Sequence, residues 1–207
     1  AHTASADWAL GAWCPANGYP RCVSIIEQRA VFAGSTEFPQ TIWASAVGDY
    51  EDFTPGTLDD APFTYRLAAR EVHSIRWLSS LSNLIIGTTR GEARMGRQDS
   101  DSPVTPSNAK VTFQSFYGSS PVPAIGSGSA ILFWERKGHP DNYGERLREY
   151  SYNITYDTYD GVDLTILADH IGEGGVIEMA RQQYPYSILW CVRADGTLIG
   201  MTYERDQ

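Results

Sequence analysis

The sequence predicts an all-β fold of β-propeller-like repeats, with antiparallel sheets of three to four strands in about four blade-like units, and three observations carry that prediction. Aromatic residues make up 12% of the 207 positions, with six Trp and twelve Tyr, a usage that favours strands and flat packed surfaces over helical bundles. Short β-prone runs alternate with Gly, Pro and Asp turn chemistry along most of the chain. The innermost apolar pairs of these runs, Val31-Phe32, Leu84-Ile85, Ile131-Leu132 and Ile188-Leu189, recur roughly every fifty residues, the period of a propeller blade. Each unit keeps one order: a short strand ahead (22–26, 72–78, 121–125, 176–179), the apolar strand, a turn, and a more polar return strand. An ordinary sandwich whose hairpins look alike is the alternative architecture.

Taken in order, residues 1–20 hold Trp8, Trp13, Pro15, Gly18 and Pro20 with little periodicity, an extended lead-in whose Trp side chains anchor elsewhere. Residues 21–207 form the propeller-like domain, expected to be a fragment of a longer protein because the chain stops just after a strand. Residues 29–34 (Val31, Phe32, closed by Gly34) and 41–46 (Ile42, Trp43) make a hairpin around a turn at 35–40 that contains Pro39. The Pro, Gly and Asp of 54–64 predict a loop. Residues 70–78 alternate in their second half, and 83–87 with 91–96 form a second hairpin around 88–90. A surface loop (98–109), a strand (111–116), a Pro/Gly/Ser-rich stretch (118–128) and the most apolar strand of the chain (130–136) follow, then an imperfect strand at 146–154. One short helix is predicted near 163–171: Asp163 caps it, Leu164, Leu167 and Ile171 share a face, and Gly172 ends it. Strands at 175–179, 187–193 and 197–203 complete the chain, the last two joined by a type I′ turn at Asp195-Gly196.

The net charge is -9, and Lys110 and Lys137 are the only Lys among sixteen basic residues. Such a chain repels phosphate backbones on average, which disfavours tight nucleic-acid binding, and its Arg residues suit pairing with the many carboxylates. Cys14, Cys22 and Cys191 are odd in number and lack CxxC spacing, so reduced buried thiols are expected, with a Cys14–Cys22 bridge as the alternative. No apolar run is long enough to span a bilayer, and the first residues lack the basic and apolar segments of a signal peptide.

Catalytic constellations are weak. His2, His73, His139 and His170 are scattered, with no HExxH pair, and Gly126-Ser127-Gly128 lacks the strand-turn-helix context of a nucleophile elbow. His170 reads as a cation at the helix C-terminus. Asp157, Asp160 and Asp163 around Gly161 have the flavour of a calcium loop without its terminal Glu, and a solvated turn with an N-cap is the simpler reading. Asn153-Ile154-Thr155 matches a glycosylation sequon. Catalytic, cofactor-binding and metal residues are therefore assigned to none. Two loops are candidate interaction surfaces, Glu37, Phe38, Pro39 and Gln40 in one and Asp99, Asp101 and Asn108 in the other, because loops on rigid β scaffolds carry function. A propeller-type glycan hydrolase or carbohydrate-binding module is the competing class. It needs convergent carboxylates, or Arg residues grouped with a Tyr nucleophile. The turn Ser45-Ala46-Val47-Gly48-Asp49 is only a broken echo of a sialidase Asp-box, since its Asp follows the Gly.

The succession Trp13, Gly18-Tyr19-Pro20, Gln28-Arg29, Phe38-Pro39-Gln40-Thr41-Ile42-Trp43, Ser45, Gly48-Asp49-Tyr50 and Phe53 resembles the tail nozzle (tail tubular, or stabilisation) proteins of short-tailed bacteriophages. The likeness continues through Leu84-Ile85-Ile86-Gly87 to Gly91-Glu92, Ser107 to Ser115, Tyr117-Gly118, Asp163-Leu164-Thr165, Leu189-Trp190 with Asp195-Gly196, and Thr202-Tyr203-Glu204-Arg205. The segment from Pro39 to Asp49 is its most specific part, and the later pieces are common hairpin wording. The resemblance implies a propeller body and several copies in a ring below the portal and adaptor. It further implies a channel in transient contact with genomic DNA, assembly in the host cytoplasm into the virion tail, and neither enzyme activity nor a cofactor. An acidic balance suits a conduit, since each phosphate–Arg contact would slow transit.

Overall fold

The computed structural model describes residues 11–68, 72–96, 103–136 and 143–204. Its strands form four antiparallel meanders in chain order. The first sheet is β1 (Cys22–Ile26), β2 (Arg29–Ala33), β3 (Thr41–Ala44) and β4 (Phe63–Arg66), and the second is β5 (Ile75–Ser80), β6 (Leu84–Thr88), β7 (Gly91–Met95) and β8 (Val111–Ser115). The third comprises β9 (Ile125–Ser127), β10 (Ala130–Glu135), β11 (Arg146–Asn153) and β12 (Thr158–Asp163), and the fourth β13 (Val176–Gln182), β14 (Ile188–Arg193) and β15 (Leu198–Thr202). The protein is thus all-β and propeller-like. The four recurring apolar pairs fall on β2, β6, β10 and β14, the second strand of every sheet.

Alternation explains why those strands are so apolar. Successive side chains point to opposite faces, and a strand covered on both sides reads as a continuous hydrophobic run. On β10, Ile131 and Phe133 pack toward the second sheet against Trp77 and Ile85, whereas Leu132 and Trp134 pack toward the fourth against Val176, Leu189 and Cys191. On β6, Leu84 and Ile86 join Val31, Ala33 and Ile42 of the first sheet, while Ile85 faces the third. Each buried side chain of this size contributes about 2 kcal/mol. Across β5 and β6, a Cβ on Gly87 would lie 2.1 Å from the Trp77 ring, so this position admits only hydrogen. The outer face of the first sheet is covered by Trp13, whose ring sits 5.1 Å from Phe32, 5.8 Å from Trp43 and 5.1 Å from Phe53. That is the anchoring expected of the lead-in. Trp8 lies outside the described residues.

Consecutive sheets are also clipped together through the backbone, always at the same end. Ile75 N–H donates to Pro39 O (2.9 Å), Ser119 N–H to Thr88 O (2.7 Å), and Gly144 and Val176 exchange bonds of 3.1 and 2.8 Å. This clipped end carries the β2–β3, β6–β7, β10–β11 and β14–β15 turns and the sheet-to-sheet connections. The opposite, open end carries the remaining turns.

Several local expectations are corrected. The helix over 163–171 shrinks to a 3-10 turn at Asp169–Ile171. Asp163 is the last residue of β12, paired with Arg148, and its carboxylate accepts both the N–H and the hydroxyl of Thr165 at 2.8 Å. That Asx turn diverts the chain, and the following bonds, Ala168 N–H to Thr165 O and Ile171 N–H to Ala168 O, are of the tighter i to i−3 kind. Leu167 is left 97% exposed, while Leu164 and Ile171 pack on the core. The 54–64 loop gives way to β4 at Phe63, the strand expected from Val72 begins at Ile75, and the short strand expected at 121–125 is β9, displaced to Ile125–Ser127. The Asp195-Gly196 turn is not type I′, because of the two only Gly196 has positive φ (84°), and Arg193 N–H reaches across it to Thr197 O. It is a three-residue connection with Gly in the left-handed position. Among the described residues, no helix is long and apolar enough to cross a membrane.

Candidate functional site

The described residues of the two predicted interaction loops, Glu37 to Gln40 and Asn108, lie at opposite ends. The 37–40 loop, at the clipped end, is partly structural. Phe38 O accepts from Ser35 N–H and Thr41 N–H, Gln40 O accepts from Leu67 N–H, and Pro39 O holds Ile75. Gln40 is buried, and Glu37 and Phe38 face outward, Phe38 with its ring edge-on to Trp43 at 6.4 Å. Asn108 lies at the open end, where its Oδ1 accepts from Thr105 N–H (2.7 Å) and its Nδ2 donates to Pro103 O (3.0 Å). Asp99 and Asp101 lie outside the described residues.

Asn108 lines an open cleft of about 810 Å³ between the turns of the first two sheets, with Glu27, Arg29, Asp59, Asp60, Val104 and Thr105. Arg29 is its buried floor. As the first residue of β2 it extends its guanidinium under the 45–62 loop and donates to Ser45 O (2.7 Å), Ala61 O (2.8 Å) and Asp59 O (2.6 Å), with the Phe63 ring 5.6 Å away. Burial lowers its pKa, partly offset by Glu27 and Asp60. Glu27 closes the other wall by accepting from Val104 N–H at 2.7 Å. The Arg richness of the sequence suggests ion pairs, and Arg148 with Glu135 (2.6 Å) is one, but Arg29 spends its donors on carbonyls and staples a loop. Its signal in sequence is an Arg opening an otherwise apolar strand.

The open end is acidic. Its described turns carry Glu27, Asp49, Glu51, Asp52, Asp59, Asp60 and Asp157 against Lys110. The three acids read as a calcium-like loop do not converge, because Asp160 and Asp163 lie on β12 at odd spacing and so on opposite faces. Asp160 accepts from the Tyr117 hydroxyl, Asp157 from the Tyr152 hydroxyl, and Asp163 from Thr165. Among the described residues no group of three His, Cys, Asp or Glu is placed to hold a metal. Cys14, Cys22 and Cys191 are free, and burial pushes the Cys22 thiol up to about 12.

Glu92 on β7 is a carboxyl sealed in the core, and sequence reasoning missed it. It is fully buried and accepts from the hydroxyls of Ser115 (2.6 Å) and Ser119 (2.9 Å) and from the N–H groups of Tyr117 and Gly118, while burial pushes its pKa up. With its oxygens filled by donors and no exposure, it ties β7, β8 and the connection to the third sheet together. Arg148 does similar work nearby: beyond Glu135, it donates to Gly161 O (2.8 Å) and lies 3.7 Å over the Tyr117 ring.

No family model and no curated protein matches the chain. Among solved structures, a luciferin-regenerating enzyme aligns over 85% of this chain and 69% of its own, at 11% identity and a TM-score of 0.30. At those values the likeness carries no argument about activity, and the propeller-like class rests on the meanders and their clips.

Proposed function

We propose that the protein is a structural component of a short-tailed bacteriophage tail, a nozzle or tail-tube piece that forms part of the conduit for DNA retention and ejection. In that role it acts by shape, without catalysis, in a ring of its own copies beneath the portal and adaptor in the virion. The single observation that supports this reading is the acidic open end. Carboxylates from five turn residues of one loop, with Glu27 in the same cleft and Asp157 on another turn of that end, present a surface that repels phosphate, and a DNA conduit benefits from walls that do not grip. The resemblance between Pro39 and Asp49 is consistent with it, since Pro39, Gln40 and Ser45 hold backbone junctions.

The test is electron microscopy of the full-length protein mixed with its portal ring. A ring of copies stacked on the portal is the expected result, and a protein that stays monomeric and ignores the portal overturns the proposal. The second reading, a glycan-binding module or hydrolase, draws on Tyr152, Tyr156, Tyr184 and Tyr186, all exposed toward the open end of the third and fourth sheets. Binding on a glycan array that is lost when Tyr156 and Tyr186 become Ala would favour it.

A further inference from the structure

We propose that the clipped end carries an oxyanion site, formed by Arg21, Arg76 and Arg136, that takes a phosphate group. This does not depend on the tail reading. A backbone path links the segments that carry the three. Arg21 N–H donates to Ala33 O and Gly34 O, both at 3.0 Å, and a Cβ on Gly34 would lie 3.1 Å from Ile75 O, next to Arg76. Ile75 pairs with Thr88, Thr88 O accepts from Ser119, and Ser119 bridges to Glu135, beside Arg136, whose N–H donates to Gly118 O at 2.9 Å. The path thus crosses the first three sheets at their clips.

Arg76 sits on an irregularity of β5, where the register with β6 shifts between Ile75 and Trp77. Such bulges turn a side chain out of the regular pleat and are common beside binding sites. Its Nε is buried and has no acceptor. Among the described residues, no carboxylate lies within ion-pair distance of Arg21, Arg76 or Arg136, and none of the three has a side-chain hydrogen bond. Glu135, the chain neighbour of Arg136, is engaged by Arg148. Burial, then the like charges of Arg21 and Arg136, hold Arg76 below the ordinary guanidinium range.

Grouping cations that have no counter-ion among the described residues is unfavourable, in a chain of net charge -9, unless an anion joins them. Guanidiniums present forked donors that match oxyanions, and three of them exceed what a single carboxylate with two oxygens can accept. A tetrahedral dianion supplies enough oxygens and charge.

The experiment is titration calorimetry of the whole chain with sodium phosphate, methyl phosphate and sodium acetate, each at constant ionic strength set with chloride. Expected is saturable binding of phosphate, weaker or absent binding of acetate, and a loss of about tenfold or more in Arg76→Gln. Arg136→Gln is a second variant, at the strand end, should the first fail to fold, and the same loss is expected. Methyl phosphate binding as tightly as inorganic phosphate identifies a phosphorylated molecule as the source, and selective binding of the inorganic ion identifies free phosphate. Absence of phosphate binding by the wild type, equal binding by acetate, or unchanged affinity in the folded variants overturns the site.

Discussion

The third and fourth sheets repeat one strand order, yet β10 and β14 end in different surroundings. Every residue of β10 from Ala130 to Trp134 is buried, because the second sheet covers one face and the fourth covers the other. On β14 only Leu189 and Cys191 are buried, facing the third sheet. Trp190 between them is 36% exposed, lies over Gly200, and donates through Nε1 to Gln182 at 3.0 Å. The difference teaches that hydrophobic stability in this fold comes from interfaces between sheets, so the same aromatic contributes according to which neighbour faces it.

The sharpest way to break the comparison is to truncate one aromatic from each strand. Phe133→Ala should lose about 4 kcal/mol in urea denaturation, since the cavity opens between two packed sheets, whereas Trp190→Ala should lose about 1 kcal/mol or less. Equal losses would mean that β14 is as enclosed as β10. Gly87→Ala, which drives a methyl into the Trp77 ring, should lose about 2 kcal/mol by the same measurement, and Trp77→Leu should recover part of it.

Glu92 offers a test by pH. Burial raises its pKa above the 4.5 of an ordinary Glu, so its carboxyl favours the folded state most fully below that value, and the contribution is lost as pH rises through the folded-state pKa. The stability of the wild type relative to Glu92→Gln should therefore be greatest near pH 4 and decline toward neutrality, as read from denaturation midpoints across that range. A difference that grows with pH would mean that the four donors outweigh burial. The smallest effect is expected at Leu167→Ser, within about 0.5 kcal/mol of wild type, because a side chain 97% exposed in a turn has no packing to lose.

Much of the fold was legible because the second strand of each sheet is enclosed or half enclosed, and enclosure writes itself as apolar runs such as 130–134. The outer strands β4 and β12 were not. They carry exposed polar residues, Thr64 and Arg66 on one and Asp160 on the other, and strand residues at a sheet edge differ little in composition from loops. The helix was misread because Leu164, Leu167 and Ile171 satisfy helical spacing, while the deciding contacts, Asp163 paired with Arg148 and bonded to Thr165, involve a partner fifteen residues away in the chain for the first of them. Of the candidate sites, the exposure of Glu37 and Phe38 agreed with a loop reading. The roles of Arg29, Glu92 and Arg76 depend on carbonyls, hydroxyls and like charges brought from other sheets, which no local pattern records.

By itself, the sequence determined the class of architecture: alternation and turn chemistry are local, so repeated apolar strands between Gly, Pro and Asp turns define antiparallel meanders wherever they occur. Only the tertiary structure decided which charged groups are staples, which are sealed in the core and which come near like charges. Coulombic and hydrogen-bond energies depend on distance through space, and the clips at Ile75, Ser119 and Val176 set those distances between residues far apart along the chain.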